Sequence, residues 1–140
     1  MNQIKYKHKT PIQIRFKDVD AMGHVNNANH ITYFEIARVK YFNDVVGEEV
    51  DWSRQGIILA KIQIEYKEPV LFRDDLFVYT TCSRIGTKSF DFSYSIVKIK
   101  DGKEIELSKG FSVQVCYDYA EKRTINMPEG WKRKVEQFEK

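Results

Sequence analysis

Apolar and polar residues alternate along IQIRF, and this period of two predicts a half-buried strand over Ile12 to Phe16. Further on the period lengthens. Ile31, Phe34, Ala37 or Arg38, Tyr41 and Val45 recur at helical spacing, and Gly47 supplies a stop signal, so a helix is predicted from about Asn27 to Val46. Tyr33, Ile36, Val39 and Phe42 add apolar side chains on its other faces, which predicts a helix buried over most of its circumference and wrapped by something else. The wrapper follows directly. In IILAKIQIEYK (57–67), Ile62, Ile64 and Tyr66 alternate with Lys61, Gln63, Glu65 and Lys67, as in a half-buried strand. LFVYTTCSRI (76–85) is the next strand, and Phe90, Phe92, Tyr94 and Ile96 line one face of another that ends at an Asp101-Gly102 turn. A last strand runs from about Glu104 to Tyr117, with Phe111, Val113, Val115 and Tyr117 on one face and Gly110 marking a bulge or a close approach. PEGWKRKVEQFEK, near the C-terminus, fits a short helix. The order of strand, long helix and four strands joined by short turns predicts an α+β fold, an antiparallel sheet packed on one helix.

The 140 residues suit a single domain, with a core over about residues 10–118 and a tail over 119–140. At 42% hydrophobic and 14% aromatic residues the chain can fill a core. Lysine and arginine exceed aspartate and glutamate by only 23 to 20, with the signs interspersed, so no nucleic-acid partner is expected. MNQIKYKHKTPIQ lacks the apolar region of a secretory signal and no run is long enough to span a membrane, which points to a cytoplasmic protein without a membrane partner. Cys82 and Cys116 stand singly in strand-like runs and read as small buried thiols in a reducing compartment.

The chemistry concentrates in DVDAMGHVNN, Asp18 to Asn27, between the first strand and the helix. Asp18, Asp20 and Gly23 match three positions of a calcium loop, but Met22 and Asn29 stand where two further ligands belong. Zinc has no cluster of suitably spaced His and Cys, so no metal is expected. GTKS (86–89) lacks the first glycine of a phosphate-binding loop, and neither a Gly-x-Ser-x-Gly elbow nor a loop cysteine offers a nucleophile. What remains is a carboxylate near the start of a buried helix, whose first-turn amides are unpaired donors able to hold a developing oxyanion. Asp20 is placed to attack, or to deprotonate water, beside such a carbonyl, while Asn26 or Asn27 caps the helix. The same residue types also build turns and caps, and spacing alone favours that plainer role.

Over residues 10 to 118 the chain resembles the hotdog-fold acyl-CoA thioesterases of the 4-hydroxybenzoyl-CoA thioesterase type. Their Asp-x-Asp-x-x-Gly-His-Val-Asn-Asn element and Tyr-Phe-Glu-x-Ala-Arg helix segment match DVDAMGHVNNANHITYFEIARVKYF, and EYKEPVLFRDDLFVYT, IGTKSFDFSYSI and KGFSVQVCYD match further. The resemblance implies a curved sheet of about five strands around one long central helix. It also implies that Asp20 is the catalytic carboxylate and that the backbone amide near Asn27 polarises the thioester carbonyl. Lys88 and Ser89 then contact the nucleotide and phosphates of coenzyme A, Gly86 helps the backbone turn there, and His24 and Asn26 shape the pocket. Coenzyme A enters as part of the substrate, and no cofactor is implied. Glu35, on the helix, is expected to pair with Arg38. The chain departs from the pattern at His30, where the family often has Tyr, and at Arg73-Asp74, where it often has Gly-Asp. The helix-start element of hotdog hydratases is absent.

The expected reaction is hydrolysis of an acyl-CoA to free acid and coenzyme A. A thiolate leaves readily, so one carboxylate and one oxyanion donor suffice; whether Asp20 acts as nucleophile or general base stays open. An acyl-carrier-protein thioesterase, which the basic run Lys132, Arg133 and Lys134 would suit, and a non-catalytic acyl-CoA binding module are the alternatives. An open sheet edge predicts a homodimer or homotetramer.

Overall fold

The computed structural model describes residues 4–47 and 50–140. The chain forms β1 (His8–Ile12), a single 3-10 turn (Phe16–Asp18), α1 (Asn27–Val45), β2 (Gln55–Tyr66), β3 (Asp75–Ile85), β4 (Ser89–Lys100), β5 (Lys103–Asp118), β6 (Arg123–Thr124) and α2 (Glu129–Glu139). The strands make one antiparallel sheet in the order β1-β3-β4-β5-β2, with β6 added to β5, and α1 packs on one face. This is the hotdog arrangement expected from the sequence.

Local chemistry explains the elements. Asp101 and Gly102, at φ 54° and 74°, form the two-residue turn between β4 and β5 whose twist matches that of the strands. Gly110 is a close approach: a Cβ there would lie 2.3 Å from the Phe34 ring, which stacks on Tyr94 with centroids 4.7 Å apart. The β5 face toward α1 is therefore built from small and polar residues, with Ser108, Ser112, Gln114 and Cys116 fully buried beside Gly110. Phe111, Val113, Val115 and Tyr117 lie half-buried on the other face.

Three expectations need correction. The first strand is His8–Ile12 rather than 12–16, because the backbone turns at Phe16–Asp18 to bring the Arg15 amide onto the Asp18 carboxylate. Pro11 is tolerated there because β1 is an edge strand. Helix α1 is not buried all round: one sheet covers one side, sealing Tyr33, Phe34, Ala37, Tyr41 and Phe42, while Ile36 and Val39 stay 46% and 54% exposed. Glu35 does not pair with Arg38. It lies on the exposed side, whereas Arg38 is buried and donates to the Tyr94 hydroxyl at 3.1 Å.

The C-terminal helix is present as α2. Its Trp131 and Val135 join the core, with Trp131 packed 5.7 Å from Phe42 and 5.8 Å from Trp52, between ring centroids. Glu139 fastens its end, accepting from the Tyr41 hydroxyl, the Thr81 hydroxyl and the Cys82 amide.

Candidate active site

The two carboxylates of the DVD element have different surroundings. Asp18 is 1% exposed and accepts from the Arg15 amide (3.0 Å), the Arg15 Nε (3.1 Å) and the Tyr33 hydroxyl (2.8 Å). Burial by itself would raise its pKa, but these bonds and the Arg15 charge outweigh burial and hold the carboxyl below the usual aspartate range. The Asp18 carbonyl in turn accepts from the Asn26 amide at 2.8 Å and the Asn29 side chain at 3.1 Å. Asp18 thus ties the incoming chain to the start of α1.

Asp20 sits on the tight hairpin that follows. Its amide donates to the His24 carbonyl at 2.8 Å, its carbonyl accepts from Gly23 at 3.0 Å, and Val19 bridges to Val25. Gly23 closes this loop at φ +82°, a conformation that penalises any side chain. One oxygen of the half-buried Asp20 carboxylate, Oδ1, accepts from the Met22 amide at 2.9 Å; the other has no partner among the described residues.

Helix α1 begins where the loop ends. Asn26 is the cap: its Oδ1 accepts from the Ala28 amide at 3.0 Å and its carbonyl from Asn29 at 2.9 Å. The Asn27 amide, the first of the helix, has no acceptor among the described residues, and the positive end of the helix dipole lies there. The Asn27 carbonyl accepts from the Tyr66 hydroxyl at 2.8 Å, fixing the helix start to the end of β2. A cleft of about 290 Å³ opens at this point, lined by His24, Val25, Asn27, His30 and the 66–69 segment. His24 is half-buried, and its backbone bridges to Leu71. His30 is buried, with Nδ1 2.8 Å from the Ser108 hydroxyl and its ring edge-on to Tyr66 at 4.9 Å; burial lowers its pKa to about 4, so the imidazole is neutral at pH 7.

Asp20, His24, Asn26 and Asn27 are therefore gathered on one arch. Gly86, Lys88 and Ser89 are not with them. The 86–89 turn joins β3 to β4, and the Lys88 carbonyl accepts from Cys116, close to where Gln55 at the start of β2 pairs with Asp118. Cys116 pairs with Ile57 of β2, whereas Asn27 is fastened to Tyr66 at the opposite end of that strand, so the two groups lie toward opposite ends of β2. In the turn, Gly86 donates to the Ser89 carbonyl at 2.7 Å, and a Cβ on Gly86 would crowd the Ser89 carbonyl at 3.0 Å and displace the Arg84 guanidinium, whose Nη1 lies 2.6 Å away. Arg84 donates to the Ser89 hydroxyl at 2.9 Å and is itself held by Asp91. Lys88 is exposed beside a hollow of about 420 Å³ shared with Gln55, Asp118 and Arg123.

Sequence reasoning missed Arg15 and Tyr33 as the supports of Asp18, Tyr66 as the anchor of Asn27, and Ser108 as the partner of His30. Only Arg15, three residues from Asp18, left a local signal. Burial pushes the Cys82 thiol up to about 12, with Glu139 adding to it, and the Cys116 thiol up to about 11, so neither is poised as a nucleophile. Among the described residues no cluster of three His, Cys, Asp or Glu side chains could hold a metal ion, and no helix is long and apolar enough to cross a membrane.

Comparison with known proteins bears on this geometry. The family model described as Thioesterase-like superfamily matches residues 14–135. The protein YsmA of Bacillus subtilis is 29% identical over 84 residues, a match that spans 59% of this chain and 56% of that relative's length. The putative acyl-CoA thioesterase YneP of the same organism is 28% identical over 112 residues, 79% of each chain. Among solved structures, a thioesterase of Thermus thermophilus complexed with coenzyme A and zinc superposes with a TM-score of 0.81 at 25% identity, covering 96% of this chain and 95% of its own. The chain belongs to the Thioesterase-like superfamily and is a thioester hydrolase of the hotdog fold.

Proposed function

We propose that the protein hydrolyses an acyl-CoA thioester, with Asp20 as the catalytic carboxylate and the Asn27 amide as oxyanion donor. The observation that carries this reading is the unpaired Asn27 amide at the start of α1, on the same short arch as a carboxylate with one free oxygen. The amide holds the carbonyl oxygen as it gains charge, at a helix end whose dipole favours that charge. Asp20 either takes a proton from the attacking water or attacks the carbonyl carbon to give a mixed anhydride that water then opens. In both routes the carbon–sulfur bond breaks and the thiolate leaves, taking up a proton, without the strong acid an amide would need. Coenzyme A as the carrier is supported by the name of YneP and by the coenzyme held in the Thermus thermophilus structure. A cytoplasmic setting fits the two free thiols.

The reading includes a dimer joined along β2. That strand is twelve residues long, pairs among the described residues only with β5, and leaves Ile58 and Leu59 exposed, while its Ile57 shares a hollow with the exposed Val39 of α1. A long apolar edge of this kind invites pairing with a second copy. Two-fold symmetry makes such pairing antiparallel, so the Tyr66 end of one protomer meets the Gln55 end of its partner. The 86–89 turn, with Lys88 and Ser89, is then brought from the partner toward the Asp20 arch, and His24 and Asn26 shape the pocket between them.

Thiol release from a panel of acyl-CoAs, with matched acyl-carrier-protein thioesters in parallel, tests the reaction. Hydrolysis confined to the carrier-protein substrates would reassign the carrier, and no hydrolysis of either set would refute the activity. Light scattering at micromolar concentration tests the assembly: a monomer mass in a fully active sample would overturn the shared site.

A further inference from the structure

We propose that His30 is a second hydrogen-bond donor to the thioester carbonyl oxygen, acting through Nε2 beside the Asn27 amide. The inference rests on the thioesterase reading above and goes beyond it by adding a catalytic residue at a position where the chain departs from the family pattern.

His30 follows Asn27 by three residues on α1, and helix side chains lean toward the N-terminus, so its ring lies over the first turn. Both residues line the same cleft. The ring is fixed on two sides. Tyr66 packs edge-on against it and donates to the Asn27 carbonyl, so ring and helix start are held by one side chain. On the other side, Nδ1 lies 2.8 Å from the hydroxyl of Ser108.

That contact sets the tautomer. Ser108 is fully buried, and its hydroxyl hydrogen needs an acceptor. Among the described residues Nδ1 is the side-chain partner of this hydroxyl. If Nδ1 carried the ring hydrogen and donated it to serine, the hydroxyl hydrogen would be left buried and unpaired. Serine therefore donates to Nδ1, and the ring hydrogen resides on Nε2. Nε2 has no acceptor among the described residues and is not among the buried, unpartnered polar atoms, as expected for an atom facing the cleft. The neutral ring supplies a donor that neither loses a proton to the substrate nor introduces a buried charge. His24, Lys67 and Glu68 are the other ionisable groups on the cleft wall besides Tyr66.

Two experiments test the assignment. Long-range proton–nitrogen correlation on nitrogen-15-labelled wild-type protein reads the His30 tautomer; hydrogen on Nε2 and a bare Nδ1 are expected, and hydrogen on Nδ1 overturns the proposal. In steady-state kinetics on an acyl-CoA that the wild type hydrolyses, His30→Phe keeps a planar ring but removes the donor. Loss of one oxyanion donor lowers kcat by about 100-fold or more, with KM changed by about threefold or less. Ser108→Ala, which releases the tautomer but keeps the imidazole, is expected to lower kcat by a smaller factor. A folded His30→Phe variant with kcat within about threefold of wild type overturns the role of His30 alone; a wild type inactive on every acyl thioester overturns the thioesterase reading and this assignment with it.

Discussion

Asp18 and Asp20 are two residues apart and chemically identical, yet their replacement by asparagine should separate stability from catalysis. At Asp18 an amide can reproduce one oxygen but not both. If its oxygen faces the Arg15 amide and the Tyr33 hydroxyl, its NH2 group faces the Arg15 guanidinium, and no charge remains to strengthen any of the bonds. The ion pair itself is discounted, because the Arg15 side chain is 54% exposed. Hydrogen bonds to a buried charge are worth about 1.5–3 kcal/mol each, and weakening two of them destabilises the fold by about 3 kcal/mol. For a chain of this size that lowers Tm by about 10 °C. Asp20→Asn keeps the oxygen that accepts from Met22 and alters a half-buried site, so Tm should move by no more than about 2 °C. Its turnover should fall about 1,000-fold or more, since an amide is neither a base nor a carboxylate nucleophile. Thermal unfolding by circular dichroism and thiol release from an acyl-CoA measure the two quantities on the same samples. An Asp18→Asn variant with unchanged Tm and lost turnover, or an Asp20→Asn variant with wild-type turnover, would refute this division of roles.

Acid should destabilise the protein through His30. Its folded pKa of about 4 lies below the unfolded value of about 6.5, so the unfolded chain binds the extra proton first; this stability is fully present above about pH 6.5 and falls by about 3 kcal/mol by pH 4. Denaturant titrations at a series of pH values should show that fall in wild type and a flatter profile in His30→Phe. Gly110→Ala would push a methyl into the Phe34 ring against its Tyr94 stack, and should lower Tm by about 3–10 °C in a melting experiment, the range set by overpacking costs. Lys88→Ala should raise KM for acyl-CoA more than it lowers kcat, because a contact to the carrier far from the carbonyl supplies uniform binding; an unchanged KM in steady-state kinetics removes Lys88 from the site.

Much of the fold was written in local pattern. The helical spacing from Ile31 to Val45, a cap at Asn26 or Asn27, the alternation in the later strands and the Asp101-Gly102 turn follow from short-range rules that act within a few residues. The motif from Asp18 to Asn27 likewise marked where an unpaired helix amide and a carboxylate share one short arch, because a helix start leaves unpaired amides wherever it occurs. Tertiary structure decided the rest. Whether Asp18 or Asp20 is the buried, paired carboxylate depends on Tyr33 arriving from α1, and the identical residue types carry no mark of that. Which apolar residues of α1 are covered depends on a sheet that protects one side, so Ile36 and Val39 are left outside although they are as hydrophobic as their buried neighbours. The separation of Lys88 from Asn27 is a matter of strand length and order, the low pKa of His30 comes from its burial, and the hydrogen-bond partner of its Nδ1 is a serine 78 positions away in sequence. Backbone preference acts between near neighbours, whereas burial, charge pairing and hydrogen-bond partnership are set by whatever the folded chain brings into contact.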